Sequence, residues 1–366
     1  MRLTFVTCTG RCGSTLLTSI LNDHRDVLSV SEFFSALKAV AGGREFPSGY
    51  LHGSQLWGLL AQEAPGLTAL LRSGLKLPEM RYEAGRSQFT VETGIPLAYH
   101  SLLPMLSDDP DALFAQLARD VPSWPIRPAA DQYRAFFRYL AGLYGRTVVV
   151  ERSATTSPLI PLLRRLFPEA GFVHMRRNGP DCVLSMSRHP AFRREALIVT
   201  AMRKAAAAGV SAGSLTELAE RMPEFKGVLE APYDPDAFRA YPVPVAFFAE
   251  RYWTPMERKA AQALGELPPE RWTGLNYEDL LAAPREVLTE LAEFIGVRAD
   301  RDWLERAERR IDPGRPASAA AALSAAELAE VEAACAPAAE AIGQVFASHG
   351  TLGEPALTLG GTARRQ

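Results

Sequence analysis

The chain has 366 residues, 47% hydrophobic and 22% charged, a composition that fits a soluble globular protein and excludes disordered, collagen-like and membrane-embedded classes. Forty basic residues against forty-two acidic ones give a formal net charge of -2. No global field draws in nucleic acid or an acidic membrane face, so any anion binding has to be local.

Residues Leu3 to Thr7 form a short apolar run closed by Thr9-Gly10, and Ser14 to Asn22 carries apolar residues at helical spacing: strand, tight loop, helix. Val27 to Val30 reads as a second strand. The same grammar returns with Thr147 to Val150 before a helix over Ser157 to Phe167, and with Gly171 to Met175 before a helix starting near Pro180. Strands alternating with helices predict an α/β fold, a three-layer arrangement with a central parallel sheet flanked by helices. The stretches 36–131 and 189–242 mix Pro, Gly and aromatic residues without a strand repeat and read as mainly helical insertions in a single domain over 1–350. Farther on, Val245 to Leu264 and Pro284 to Ile295 read as helices and Trp272 to Asn276 as a strand. Ser324 to Phe346 reads as a closing helix interrupted at Pro337, followed by a loose tail over 351–366.

Four cysteines, Cys8, Cys12, Cys182 and Cys335, are too few for a disulfide framework, and Cys8 and Cys12 lack the spacing of a zinc site. They are expected to be reduced thiols. The opening residues run straight into a strand, and no apolar stretch approaches the roughly eighteen residues of a membrane span, so a cytoplasmic location without a membrane span is expected.

The segment Thr9-Gly10-Arg11-Cys12-Gly13-Ser14-Thr15-Leu16-Leu17 sits where the first strand turns into the first helix. Glycines let backbone N–H groups converge, and a helix start adds partial positive charge, so the turn is a cradle for phosphate or sulfate. Arg11 adds a full charge, and Ser14 and Thr15 add hydroxyl donors. An ATP-type loop needs wider glycine spacing, a lysine and a magnesium-holding hydroxyl. Gly10 and Gly13 are too close for that and no lysine is present, which speaks against a nucleotide kinase, the alternative enzyme class.

These residues resemble the sulfotransferase superfamily that uses 3'-phosphoadenosine-5'-phosphosulfate (PAPS). The Arg-x-Gly-Ser-Thr-Leu-Leu pattern is similar to the 5'-phosphosulfate loop of its tyrosylprotein and carbohydrate branches. A second match, Arg177-Asn178-Gly179-Pro180-Asp181-Cys182-Val183-Leu184-Ser185, is similar to the family's 3'-phosphate signature, in which an arginine and a serine eight residues later hold that phosphate. A third, Asn276-Tyr277-Glu278-Asp279-Leu280-Leu281, resembles an architectural block of the family. The resemblance implies PAPS as donor, a hydroxyl acceptor and no metal requirement; the expected cytoplasmic location points to a small-molecule acceptor, and the balanced charge to no nucleic-acid partner. It assigns Gly10, Arg11, Cys12, Gly13, Ser14, Thr15, Arg177 and Ser185 to the nucleotide, in two anion pockets holding its opposite ends. Of the adjacent Arg176 and Arg177, only one should face the nucleotide, since neighbours in an extended segment point opposite ways.

In the tyrosylprotein branch, a glutamate twenty-one positions after the loop arginine serves as base, which falls on Glu32 here. That branch carries a catalytic lysine where Arg152 stands, so Arg152 and Arg11 join Glu32 as candidate catalytic residues. An arginine is not equivalent to a lysine, because its planar fork does not donate a proton to a leaving group. His100 is the second candidate for the base. In place of the family's glycine-rich adenine loop stands Arg309-Arg310-Ile311-Asp312-Pro313-Gly314-Arg315-Pro316, from which Arg315 is the nucleotide candidate. The competing classes are a kinase and a non-catalytic nucleotide-binding module. Neither the acceptor nor the oligomeric state is legible.

Overall fold

The computed structural model describes residues 1–40, 45–83, 85, 87–312, 319–349 and 352. Its strands in chain order are β1 (Arg2–Thr7), β2 (Val27–Ser31), β3 (Tyr50–Leu51), β4 (Arg127–Pro128), β5 (Val148–Arg152), β6 (Gly171–Arg176) and β7 (Trp272–Asn276). Five of them form one sheet in the order β2-β5-β1-β6-β7, and every pairing is parallel. The β2 and β5 strands are buried at every position, as strands covered on both faces must be. The expected α/β architecture, a central parallel sheet flanked by helices, is what the chain forms.

One face of the sheet packs Phe5 against Phe167 and Phe172, with Phe34 and Phe33 continuing the cluster. The other packs Val6, Leu17, Ile20 and Leu21 against Leu288, Leu291 and Trp303. Trp303 donates its indole N–H to the Ile20 carbonyl at 2.9 Å, tying the Arg301–Arg310 helix to the Ser14–Asn22 helix. Truncating a buried aromatic such as Phe5 to alanine costs about 3–5 kcal/mol in cores of this kind.

From β1 the chain places β2 and β5 on one side and β6 and β7 on the other. The loop after β1 therefore stands where the strand order reverses, at the carboxyl edge where open α/β sheets hold ligands.

The two inserted stretches are mainly helical, with β3 and β4 forming a two-residue antiparallel ribbon at the two ends of the first, where the sequence shows no strand repeat. They share a core of their own: Leu70, Leu75 and Leu77 pack with Leu197, Ala201 and Phe225. The closing helix differs from expectation, because Ala325–His349 runs through Pro337 without a break. Val331, Cys335, Ala338 and Ile342 are buried along it, and Thr254 donates its hydroxyl to the Ala334 carbonyl at 2.8 Å, so tertiary packing holds the helix across the proline. All four cysteines are free, and all four are buried.

Candidate functional site

The turn after β1 is built from left-handed residues: Gly10, Arg11 and Gly13 have φ of 84°, 61° and 90°. A side chain at Gly13 would lie 2.3 Å from Cδ2 of Tyr277, so the Tyr277 ring packs directly on the loop, and it also lines the cavity there. The Arg177 guanidinium lies 5.1 Å above the same ring. Glu278 accepts from the Asn178 N–H at 2.8 Å, and Asn276 donates to Asp279 at 2.7 Å. The Asn276 to Leu281 block thus has an architectural job: it clamps the start of the Gly179–Arg188 helix beside the loop.

A cavity of about 420 Å³ opens at this edge, lined by Arg11, Gly13, Ser14, Thr15, Arg177 and Ser185 among the expected residues. Arg81 and Arg310 add two further cations and Glu79 the one acid. Gly10 and Cys12 shape the turn without lining the cavity, Cys12 being fully buried. Arg176 points elsewhere, over the Phe346 ring. Buried Nε of Arg177 has no hydrogen-bond partner, and its Nη2 stands 3.6 Å from Asp181. Both expected sets of anion-binding residues line this one cavity, and Arg11 donates from Nε to the Ser185 hydroxyl at 3.2 Å. Arg315 lies outside the described residues. The flanks of 313–318 are near this site, with Arg310 in the cavity wall and the Ala319 N–H donating to Asp181 at 2.9 Å.

On the other side of Glu79 lies a second cavity of about 390 Å³, lined mostly by apolar groups including Phe33, Leu60, Leu77, Leu97, Phe192 and Met256. Glu32 and His100 line it, and so does Glu79, which is common to both cavities. The Glu32 backbone is left-handed at φ 58°, held by its N–H donating to the Arg152 carbonyl at 2.7 Å. Its carboxylate accepts from the Ala154 N–H at 3.0 Å, from the Ser35 hydroxyl and from Arg152 Nη1. Arg152, only 2% exposed, also donates to Thr18 at 2.9 Å and Ser31 at 2.7 Å, and lines neither cavity. It is a buried strut that fixes Glu32 to β2 and the first helix.

Two residues at the junction are not apparent in the sequence. Glu79 binds His189 Nε2 at 2.9 Å and Arg11 at 3.4 Å. Burial alone would raise its pKa, but the hydrogen bond and charge of His189, with Arg11, hold it below the ordinary carboxylate range. His100 is 6% exposed, and burial pushes its pKa down to about 4. Beneath Glu32, burial raises Glu151 to about 8, where Ser153 donates to its carboxyl. Of the remaining histidines, His174 is packed between Glu257 and Thr7, and His24 binds the Arg298 carbonyl at 3.0 Å.

A cationic turn at the reversal of a parallel sheet, next to an apolar chamber floored by a fixed carboxylate, defines an anion-binding α/β protein of the group-transfer type. A sequence profile described as the sulfotransferase family matches residues 4–212, and the chain belongs to that family. No curated protein matches it. Among solved structures it is similar to the sulfotransferase domain from the Synechococcus PCC 7002 olefin synthase, with 19% identity over 92% of this chain and 94% of that one and a TM-score of 0.45. It is also similar to the sulfotransferase domain from the curacin biosynthetic pathway (16%, 87% and 82%, 0.43) and to a sulfotransferase from Mycobacterium tuberculosis H37Rv (13%, 92% and 77%, 0.43).

Proposed function

We propose that this sulfotransferase moves the sulfuryl group of PAPS to a hydroxyl of a small-molecule acceptor, with the arginine-lined cavity as donor site and the apolar cavity as acceptor site. The observation that carries the reading is their junction: a chamber with four arginines and one acid meets an apolar chamber at Glu79, with Glu32 on the wall of the second. The donor cavity's residues fit a polyanionic nucleotide. Arg177 has a buried Nε without a partner, Ser185 offers a hydroxyl beside it, and the first turn of the Ser14–Asn22 helix leaves N–H groups without intrahelical partners.

PAPS supplies an activated sulfuryl group whose leaving group is a phosphate. Arg11, Ser14 and Thr15 hold the phosphosulfate end and Arg177 and Ser185 the 3'-phosphate, which requires Arg11 to leave Ser185 and Glu79. Glu32 takes the acceptor's proton as the acceptor oxygen bonds to sulfur, in line with the sulfur–oxygen bond that breaks. Arg11 and the loop N–H groups stabilise the negative charge returned to the departing phosphate oxygen. Arg152 positions Glu32 through their ion pair rather than touching the reacting atoms. Single-domain organisation over 1–350 and a cytoplasmic setting go with this reading. Among the described residues no helix is long and apolar enough to cross a membrane.

A thermal-shift comparison tests the donor. The desulfated nucleotide 3',5'-ADP should raise the melting temperature where ATP with magnesium does not, because a ligand bound only to the folded state stabilises it. Stabilisation by ATP alone would favour the kinase reading.

A further inference from the structure

The acceptor cavity has a direction. Its inner end is at Glu32, Ala154 and His100, while the only exposed residues of its lining are Ala39 and Glu195. Its two long walls are the Phe33–Val40 and Pro190–Ala207 helices. Phe192, near the start of the second, approaches the donor loop: a side chain at Gly10 would stand 3.4 Å from its ring. Lys38 lies five residues beyond Phe33, about 8 Å along the helix axis from the inner end. The mouth is therefore at Ala39 and Glu195, with Lys38 beside it.

Lys38 is half-buried in this wall and has no hydrogen bond or ion pair within bonding distance among the described residues. Burial lowers its pKa, partly offset by Glu195. The charges acting on the pair are Lys259 beside Lys38, and Arg194 and Arg251 beside Glu195. Lys38 and Glu195 are thus the charged side chains of the lining at this end of a mostly apolar slot. A half-buried ammonium without a close partner is costly, and an anionic ligand group relieves that cost.

Building on the sulfotransferase reading, we propose that the acceptor is an elongated, largely apolar alcohol or phenol that enters hydroxyl first and carries a carboxylate at its far end, held by Lys38 at the cavity mouth. Its apolar body lies against Leu60, Leu77, Leu97 and Met256, and shape and hydrophobic burial supply the rest of its affinity.

Calorimetric binding to the full chain saturated with 3',5'-ADP tests this without turnover. The probes are para-hydroxyphenylbutanoate, its amide and para-hydroxyphenylbutylamine. The carboxylate is expected to bind about tenfold or more tightly than the amine, the scale of a charge-assisted hydrogen bond. Lys38→Met should abolish that preference, and Lys38→Glu should reverse it, while both variants bind 3',5'-ADP as the wild type does. Equal affinity for the three probes, no binding of any, or a preference that survives Lys38→Met overturns the carboxylate subsite. Failure of 3',5'-ADP to bind the wild type counts instead against the donor assignment.

Discussion

Glu79 holds its carboxylate 3.4 Å from Arg11 and 2.9 Å from His189, so the arginine of the anion loop is neutralised from within at the boundary between the two cavities. An anionic donor has to compete with that carboxylate for Arg11. We predict that Glu79→Gln tightens 3',5'-ADP binding by about tenfold, since like charges within one site are repulsive. Calorimetry on the two proteins decides it, and weaker binding by the variant would show that Glu79 supports the site instead.

Because the Glu79 pKa is lowered in the fold, its contribution to stability is present above the ordinary carboxylate range and is lost as the pH falls through its folded value. Melting curves of wild type and Glu79→Gln should therefore converge as the medium is acidified. A gap that widens in acid contradicts the ion-pair account.

Glu151 has the opposite sign. Its pKa is raised by burial to about 8, so the folded state prefers the protonated acid. Stability from this group is full below the unfolded pKa and declines as the pH rises toward 8. Glu151→Gln keeps the shape without the charge and should be more stable than wild type above that pH, with little difference in mild acid. Denaturant titrations across the range would reveal a difference that grows with pH; a constant difference would not fit.

Gly13→Ala places a methyl against Tyr277 and forces a left-handed backbone on alanine. The expected loss is about 1–3 kcal/mol of stability from the backbone strain, together with nucleotide binding. Adding Tyr277→Ala removes the clash but leaves the strain and takes away a buried aromatic, itself worth about 3–5 kcal/mol, so the double variant should melt no higher than Gly13→Ala alone.

Glu32→Gln should lower sulfuryl transfer by about 10²–10⁴-fold, the range for loss of a general base, with 3',5'-ADP affinity close to wild type. Arg152→Lys should lower turnover less, since lysine keeps the charge but lacks the fork that reaches Thr18, Ser31 and Glu32 together. Unchanged turnover in Glu32→Gln would transfer the role of base to another group on the same wall.

Local grammar carried much of this fold. The Ser14–Asn22 helix, β6, β7 and the Pro284–Ile295 helix follow from periodicity, caps and breakers within a few residues. The architectural role of the block around Tyr277 was legible through its resemblance to a block of the family. Glu79 and His189 were not, since each reaches the site through tertiary packing of an inserted stretch: 68 residues separate Glu79 from Arg11 and 110 separate it from His189. The same limit explains Pro337, where a local rule for breaking helices loses to burial on both sides. Nor does spacing along the chain reveal that Arg11 and Ser185 touch across the cavity.

The most direct test is calorimetric titration of 3',5'-ADP into the wild type and Arg177→Ala. Saturable binding by the wild type, weakened about a hundredfold or more by loss of a charge-assisted grip on phosphate, is the expected result. A wild type that does not bind the nucleotide, or a variant that binds it equally well, would contradict the assignment of the arginine-lined cavity to the sulfuryl donor.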